Sequence, residues 1–340
     1  MYTVEGFDIY ATWVAVGVIS SLIITYVNYI GIKPAAFLQG ILTAVIIAIG
    51  LVLIAGSSVS GNLTYTEPLF NDGFGGILSV AVMTPFMFVG FDVIPQAAEE
   101  IAIPFKDIGK LIILSIGSAV VWYAVIILSV SVMMTAPEID SSVLVTADAI
   151  KKAYGGSELM AKLLIIGGMA GIVSSWNSFF MGGSRAIYAL AKARCLPEFL
   201  SVLHPRYKTP TNAIILIGAI SCIAPFFGRA MMVWLTNAGG TGAVTAYLMV
   251  SISFLVLRRK EPELRRPYFV KNHRFVGGMA VILSSIMLLL YMPGMPSGLM
   301  IPEWTIIGIW SLLGVIFYVY AKRKFPDFGR IIDIDLSEFE

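Results

Sequence analysis

One stretch limits what this chain can fold into. Gly75 to Ile101 (GGILSVAVMTPFMFVGFDVIPQAAEEI) is apolar and longer than the roughly 20 residues of helix that cross a bilayer, yet its middle is written to break. Pro85 and Pro95 lack an amide donor and crowd the carbonyl four residues earlier, and Gly90 between them has no Cβ to favour a helical φ. Pro95 frees the carbonyl of Phe91 in particular, and Asp92 sets a carboxylate near the midplane. Unpaired backbone at that depth survives only inside protein or along a wet cavity. The stretch therefore reads as two half-helices joined at residues 88–92, a construction that places a binding site at the membrane midplane.

Composition decides what surrounds it. Hydrophobic residues make up 58% of the 340-residue chain, charged residues 13%, and the mean hydropathy is +0.86. A soluble domain carries about 25% charged residues, so this is the composition of an integral membrane protein. The net charge of +2 is too small to point to nucleic acid, and two cysteines, Cys195 and Cys222, make no disulfide framework. Nine segments are long and apolar enough to span: Ile9 to Ile30, Ala36 to Gly56, Gly75 to Ile101, Gly109 to Met134, Met160 to Ala191, Asn212 to Gly228, Met232 to Leu257, Val276 to Met292 and Glu303 to Ala321.

Charge sorts the connections between them. Of the 23 Lys and Arg, all but Lys151, Lys152, Lys162 and Arg229 fall on one side, in the blocks at Lys33, Lys106 to Lys110, Arg185 to Lys208, Arg258 to Arg274 and Lys322 to Arg330. Cytoplasmic loops carry such an excess, which predicts a multi-pass protein of the cell membrane with a cytoplasmic C-terminus and Met1 outside. The first residues (MYTVEGFD) hold no basic export signal, so the expectation is an odd number of further spans ahead of Met1 in a longer protein, with a genuine outside start as the alternative. The expected organisation is one transmembrane unit over residues 1–330, of about nine helices, and a cytoplasmic tail over 331–340. The outward loop from Thr135 to Leu159 is expected to hold a short amphipathic helix around Val143 to Tyr154, the kind of element that closes over a cavity.

Chemistry concentrates in three places. In the broken stretch, carbonyls freed around residues 88–91 suit an ammonium group, and amides at the start of the following half-helix suit an anion. A zwitterion satisfies both. Two readings stand for Asp92: a substrate ligand, or the N-cap of the second half-helix with Pro95 in the tolerant first turn. Phe86, Phe88 and Phe91 are candidate cavity gates, with ordinary packing as the alternative. Glu99 and Glu100, followed by Lys106 and Lys110, form either a solvated charge cluster or an inner-gate ion pair. Near the midpoint of the fifth span, Ser174, Ser175 and Asn177 offer groups that bond helix to helix or coordinate a small cation. The seventh span opens with Trp234, Asn237, Gly239, Gly240, Thr241 and Gly242, residues that permit close helix approach or a second backbone irregularity. His204 and His273 lie in separate basic loops without cysteine or carboxylate at ligand spacing. No metal, cofactor or enzymatic activity is expected.

Several blocks resemble one family. Phe88 to Lys110 (FVGFDVIPQAAEEIAIPFKDIGK), Ser184 to Pro210 (SRAIYALAKARCLPEFLSVLHPRYKTP) and Leu257 to Val270 (LRRKEPELRRPYFV) resemble, in order, the sixth helix and its loop, the eighth helix and its loop, and the end of the tenth helix of the amino acid/polyamine/organocation permeases. Asn28 to Gly56 resembles their fourth-to-fifth connection and fifth helix. The resemblance implies an all-α polytopic bundle of LeuT-like, inverted-repeat fold, N-terminally incomplete because the first three helices have no counterpart here. It implies that Phe86 is an aromatic gate, that Val89 and Gly90 offer carbonyls to a substrate amino group, and that Ser174 and Ser175 are candidates for a sodium-like site. The expected substrate site is thus Phe86, Val89, Gly90, Phe91 and Asp92, with Ser174, Ser175 and Asn177 as ion or cavity residues. Two departures stand out. The glycine-rich first helix that holds the substrate carboxylate in the family is absent, and a lysine linked to proton coupling in some members corresponds to Ile46. The expectation is a secondary transporter of amino acids or related amines working by alternating access in a lipid bilayer, with H+ or Na+ as coupling ion. The competing expectation is a non-transporting fragment or accessory subunit of a permease.

Overall fold

The computed structural model describes residues 1–4, 7–67, 73–98, 101, 103–264, 266, 268–295 and 298–325, and for Phe74, Leu78, Ser79, 81–83, Pro85, Phe86, Arg229 and Ala230 the backbone alone. After a small hairpin of β1 (Tyr2–Val4) and β2 (Phe7–Ile9) come twelve helices: α1 (Ala11–Tyr29), α2 (Ile32–Ser60), α3 (Gly73–Phe88), α4 (Val93–Gln96), α5 (Phe105–Ser131), α6 (Ala136–Ser141), α7 (Val145–Ala153), α8 (Glu158–Lys192), α9 (Thr211–Ile223), α10 (Gly228–Lys260), α11 (His273–Leu290) and α12 (Ile301–Lys324). The protein is an all-α polytopic bundle. Among the described residues, seven helices are long and apolar enough to cross a membrane: α1, α2, α5, α8, α10, α11 and α12.

All nine apolar segments are helical, but two fall short of a full span. The third expected span divides into α3, 16 residues long, and α4, a single turn of 4 residues. The sixth is α9, 13 residues, prolonged only by a 3-10 turn over Ala224–Phe227. Pro225 withdraws a donor there, and Gly228 turns the chain at φ +61°. The sequence reading did not anticipate the hairpin. β1 and β2 pair antiparallel, and the Tyr2 hydroxyl donates to the Phe226 carbonyl, so the hairpin sits on the corner between α9 and α10.

Two apolar clusters hold the bundle together. In the first, Leu53 of α2, Val130 of α5 and the Met133–Met134 turn bury against Ala149, Ile150 and Ala153 of α7. α7 is the amphipathic helix expected around Val143 to Tyr154, and it is seated firmly. The Tyr154 ring packs over Gly56, where a Cβ would lie 2.5 Å from it, and its hydroxyl donates to the Val52 carbonyl at 2.9 Å. The second cluster joins α10, α11 and α12 through Val244, Tyr291 and Leu299. Beside it Glu303 is fully buried, accepting from the Asn237 side-chain amide and, at 2.6 Å, from the Met300 N–H. The second irregularity considered for the glycine-rich start of α10 is not there: the helix runs unbroken from Gly228 to Lys260. Of its glycines, Gly240 meets the Tyr291 hydroxyl, 3.3 Å from where a Cβ would stand.

The basic connections gather on one face. The Tyr29 ring lies 5.1 Å from that of His204, the Arg194 guanidinium 4.9 Å over the Phe325 ring, and Tyr268 packs on Gly109. These contacts join the end of α1 to the α8–α9 connection, the end of α8 to that of α12, and the start of α5 to the α10–α11 connection. α12 touches the bundle sparingly, with Glu303 and Ala321 buried near its two ends and Trp310 between them 73% exposed.

Candidate functional site

The break falls where the prolines and glycine put it. α3 stops at Phe88, residues 89–92 form turns, and Gly90 adopts φ +132°, a conformation that L side chains rarely take. A Cβ on Gly90 would meet nothing within 4 Å. The requirement for glycine is therefore one of backbone angle and not of space. Two turn hydrogen bonds fix the geometry, from Val93 N–H to the Gly90 carbonyl and from Ile94 N–H to the Phe91 carbonyl, both 3.2 Å.

Asp92 occupies the N-cap position of α4 but does not cap it, which revises the capping expectation. Its backbone is already helical at φ −69°, ψ −16°, and no bond runs from α4's amides to its side chain. The carboxylate instead turns back into the break, accepting from Gly90 N–H at 2.8 Å and from the Gln96 amide at 3.4 Å. A negative charge is thereby held at the joint by a backbone amide. That amide belongs to the break itself and precedes the α4 amides expected to serve a substrate anion.

Aromatic rings frame the joint from neighbouring helices. Phe88 packs edge-on against Tyr123 of α5 at 5.5 Å, and the Tyr123 hydroxyl donates to the Met87 carbonyl at 3.0 Å, satisfying a group that the end of α3 leaves without its helical donor. Phe91 stacks on Tyr247 of α10, also at 5.5 Å with 30° between planes. The Tyr247 hydroxyl is buried and has no hydrogen-bond partner among the described residues. α4 in turn rests on α8 at Gly182, where a Cβ would stand 2.2 Å from the Gln96 side-chain oxygen and 2.9 Å from Val93. None of Tyr123, Tyr247, Gln96 or Gly182 was singled out from sequence. The side chain of Phe86, together with Glu99 and Glu100, lies outside the described residues.

The polar residues of α8 divide between two faces. Asn177 is fully buried, accepting from the Asn28 amide at 2.9 Å and donating to the Ala35 carbonyl at 3.0 Å and to Gln39 at 3.3 Å. The Gln39 amide donates to the Ser174 hydroxyl at 2.6 Å. Together Asn28, Gln39, Ser174 and Asn177 bolt α1 and α2 to α8. Ser175, one residue on and about 100° round the helix, is exposed and outside this network. A cavity of about 810 Å3 opens on the basic face beneath α4, lined by Pro95, Gln96, Arg185, Lys192, Tyr207 and Lys208 among others. Among the described residues, no group of three or more His, Cys, Asp or Glu stands at metal-binding spacing.

Seven membrane-length helices around a helix broken at its middle define a multi-pass membrane protein of the permease type. The model of one family, "Amino acid permease", matches residues 2–319. The chain belongs to that family. It is 28% identical over 310 residues to the branched-chain amino acid permease BcaP of Bacillus subtilis (strain 168), covering 88% of this chain and 62% of that protein. It is 26% identical over 308 residues to the methylthioribose transporter of the same organism (89% and 63%), and 24% identical over 325 residues to the chloroplastic cationic amino acid transporter 7 of Arabidopsis thaliana (93% and 55%). The chain thus spans less than two thirds of the length of these relatives.

Proposed function

We propose that the protein is, or forms the greater part of, a secondary transporter that carries amino acids or related amines across the cell membrane by alternating access. The single observation that carries this reading is the joint at Gly90, a positive-φ break with turn carbonyls, a carboxylate and aromatic rings around it. The substrate's ammonium group is held by the Asp92 carboxylate and the carbonyls of Val89 and Gly90, while Phe86, Phe91 and the unpartnered Tyr247 hydroxyl close around it. Ser174 and Asn177 brace the scaffold side of the site, and Ser175 is the member open to a cavity or coupling ion, H+ or Na+. Residues 1–330 act as one transmembrane unit, with the basic face, the tail over 331–340 and the C-terminus cytoplasmic. Relatives named for branched-chain amino acids, methylthioribose and cationic amino acids support an amine-bearing or similarly small polar substrate without selecting among them.

The test is uptake of a panel of radiolabelled amino acids and polyamines into proteoliposomes holding the chain alone, with Gly90→Leu beside it. Because the obstacle is a strained backbone of about 1–3 kcal/mol and not a clash, the variant is expected to insert normally yet lose about ten-fold or more of its saturable uptake. Uptake that survives Gly90→Leu would remove the joint from the mechanism. The share of the relatives' length that the chain spans favours a second reading, in which it is a non-transporting piece or accessory subunit. Correctly inserted protein without saturable uptake of any compound supports that reading.

A further inference from the structure

We propose that a groove on the basic face, between the start of α5 and the end of α10, is a binding site for the headgroup and upper acyl chain of an anionic phospholipid. The groove holds about 390 Å3, and its lining combines apolar side chains with two arginines. The wall is apolar, built by Ile108, Phe254 and Leu257, and the rim carries two guanidinium groups, Arg258 and Arg266. Tyr268 closes one side and is pinned there by Gly109, since a Cβ on that glycine would stand 2.8 Å from the ring.

Both arginines are held by neutral partners. The Arg258 guanidinium lies 5.1 Å over the Phe254 ring and 4.8 Å over the Phe269 ring. Arg266 donates to the carbonyls of Pro262 at 3.1 Å and of Leu264 and Glu261 at 2.6 Å. Neither forms an ion pair among the described residues, so two held positive charges line the groove with no counter-ion among those residues. Glu261 and Glu263 in the same connection are exposed, and Lys106, Arg259 and Lys260 add to the positive field. The wall and rim sit at the ends of two membrane-length helices. That is the level at which lipid phosphates lie, with acyl chains on the apolar side. A planar guanidinium fork matches the oxygens of a phosphate, and an apolar wall has no use for a free anion. An anionic phospholipid meets both demands; inorganic phosphate meets one.

The experiment uses the full chain in nanodiscs carrying either a photoactivatable phosphatidylglycerol or its phosphatidylcholine counterpart, with labelled peptides read by mass spectrometry. The expected result is labelling of the peptides around Ile108 and Leu257 by the phosphatidylglycerol, about ten-fold above the phosphatidylcholine, and reduced to the phosphatidylcholine level in the double variant Arg258→Gln, Arg266→Gln. Ile108→Trp, which fills the apolar wall and leaves both charges in place, is expected to lower the labelling equally and serves if the double variant does not fold. Equal labelling by the two lipids, or labelling that survives both variants, overturns the proposal. Labelling that millimolar inorganic phosphate displaces as readily as excess phosphatidylglycerol also overturns it, in favour of a free-phosphate site.

Discussion

At residue 90 it is backbone angle and not space that favours glycine, since φ is +132° and a Cβ there would meet nothing within 4 Å. Gly90 and Pro95 state a backbone requirement that holds in any surroundings, and the joint lies where they placed it. Asp92 shows the limit of such reasoning: it has the identity and position of a helix cap, yet the four-residue α4 offers so little helix to cap that the carboxylate bonds Gly90 instead. Tyr123, Tyr247 and Glu303 carry no sequence signal, because their importance depends on which neighbours the packing brings to them. Asn177 is the residue whose loss is expected to tell most about the scaffold. Asn177→Ala removes the bond from the Asn28 amide and those to the Ala35 carbonyl and the Gln39 side-chain oxygen, while the Asn28 amide keeps the Ile24 carbonyl and the Gln39 amide keeps Ser174. Polar contacts between membrane helices are worth about 0.6–1.7 kcal/mol each, so a loss of about 1–2 kcal/mol is expected, read as a lower thermal midpoint in detergent. Gly50→Ala should cost a similar amount for a different reason. A Cβ there falls 2.4 Å from the Trp122 ring, which cannot step aside as a flexible chain end would, and overpacking of this kind costs about 1–3 kcal/mol.

Among the elements, the α6–α7 unit changed most between sequence and structure. Its amphipathic pattern was legible because Ala147, Ala149, Ile150 and Ala153 recur at helical spacing and are the buried residues of α7. Amphipathicity alone does not separate a lid from a fixed cap. The packing of Ile150 against Leu53 and Val130 makes it a fixed cap. Ion pairs tie its outer surface, with Lys152 on Glu138 at 2.8 Å. The Lys152 ammonium, followed by the N–H and hydroxyl of Thr135, holds the Glu138 carboxyl down at about 2, below an ordinary value of 4.5. A depressed carboxyl stabilises the folded state above its unfolded value and loses that contribution as the group protonates. Glu138 therefore contributes fully above about pH 4.5, and its contribution disappears as pH falls from there toward 2. The expected outcome is a thermal midpoint that drops through this window in the parent protein and drops less in Glu138→Gln. A midpoint with the same pH dependence in both proteins would assign the acid sensitivity to other groups. The pair is solvent-exposed, so 1 M salt should shrink the difference.

At the scale of the whole molecule, hydrophobic runs were enough to mark all seven helices of membrane-spanning length among the described residues, together with two segments that fall short, because such runs follow from the bilayer and not from packing. The small hairpin escaped, since three-residue strands leave no periodicity to read. Orientation is testable through the native thiol at Cys195, in the connection between α8 and α9. With Cys222→Ser as background, a membrane-impermeant maleimide is expected to leave Cys195 unlabelled in intact cells and to label it after permeabilisation, while Thr66→Cys should behave in the opposite way. Labelling of Cys195 in intact cells would invert the proposed topology. The sparse seating of α12 gives the molecule a further property. Fastened near one end by Glu303 and at the other by Ala321, with Trp310 facing outward between them, α12 is a beam pinned at its ends and unsupported at mid-span. Lateral tension or a change in bilayer thickness that bows such a beam loads its two pins, and the upper pin is the Asn237–Glu303 bond to α10, the helix whose Tyr247 stacks on the joint.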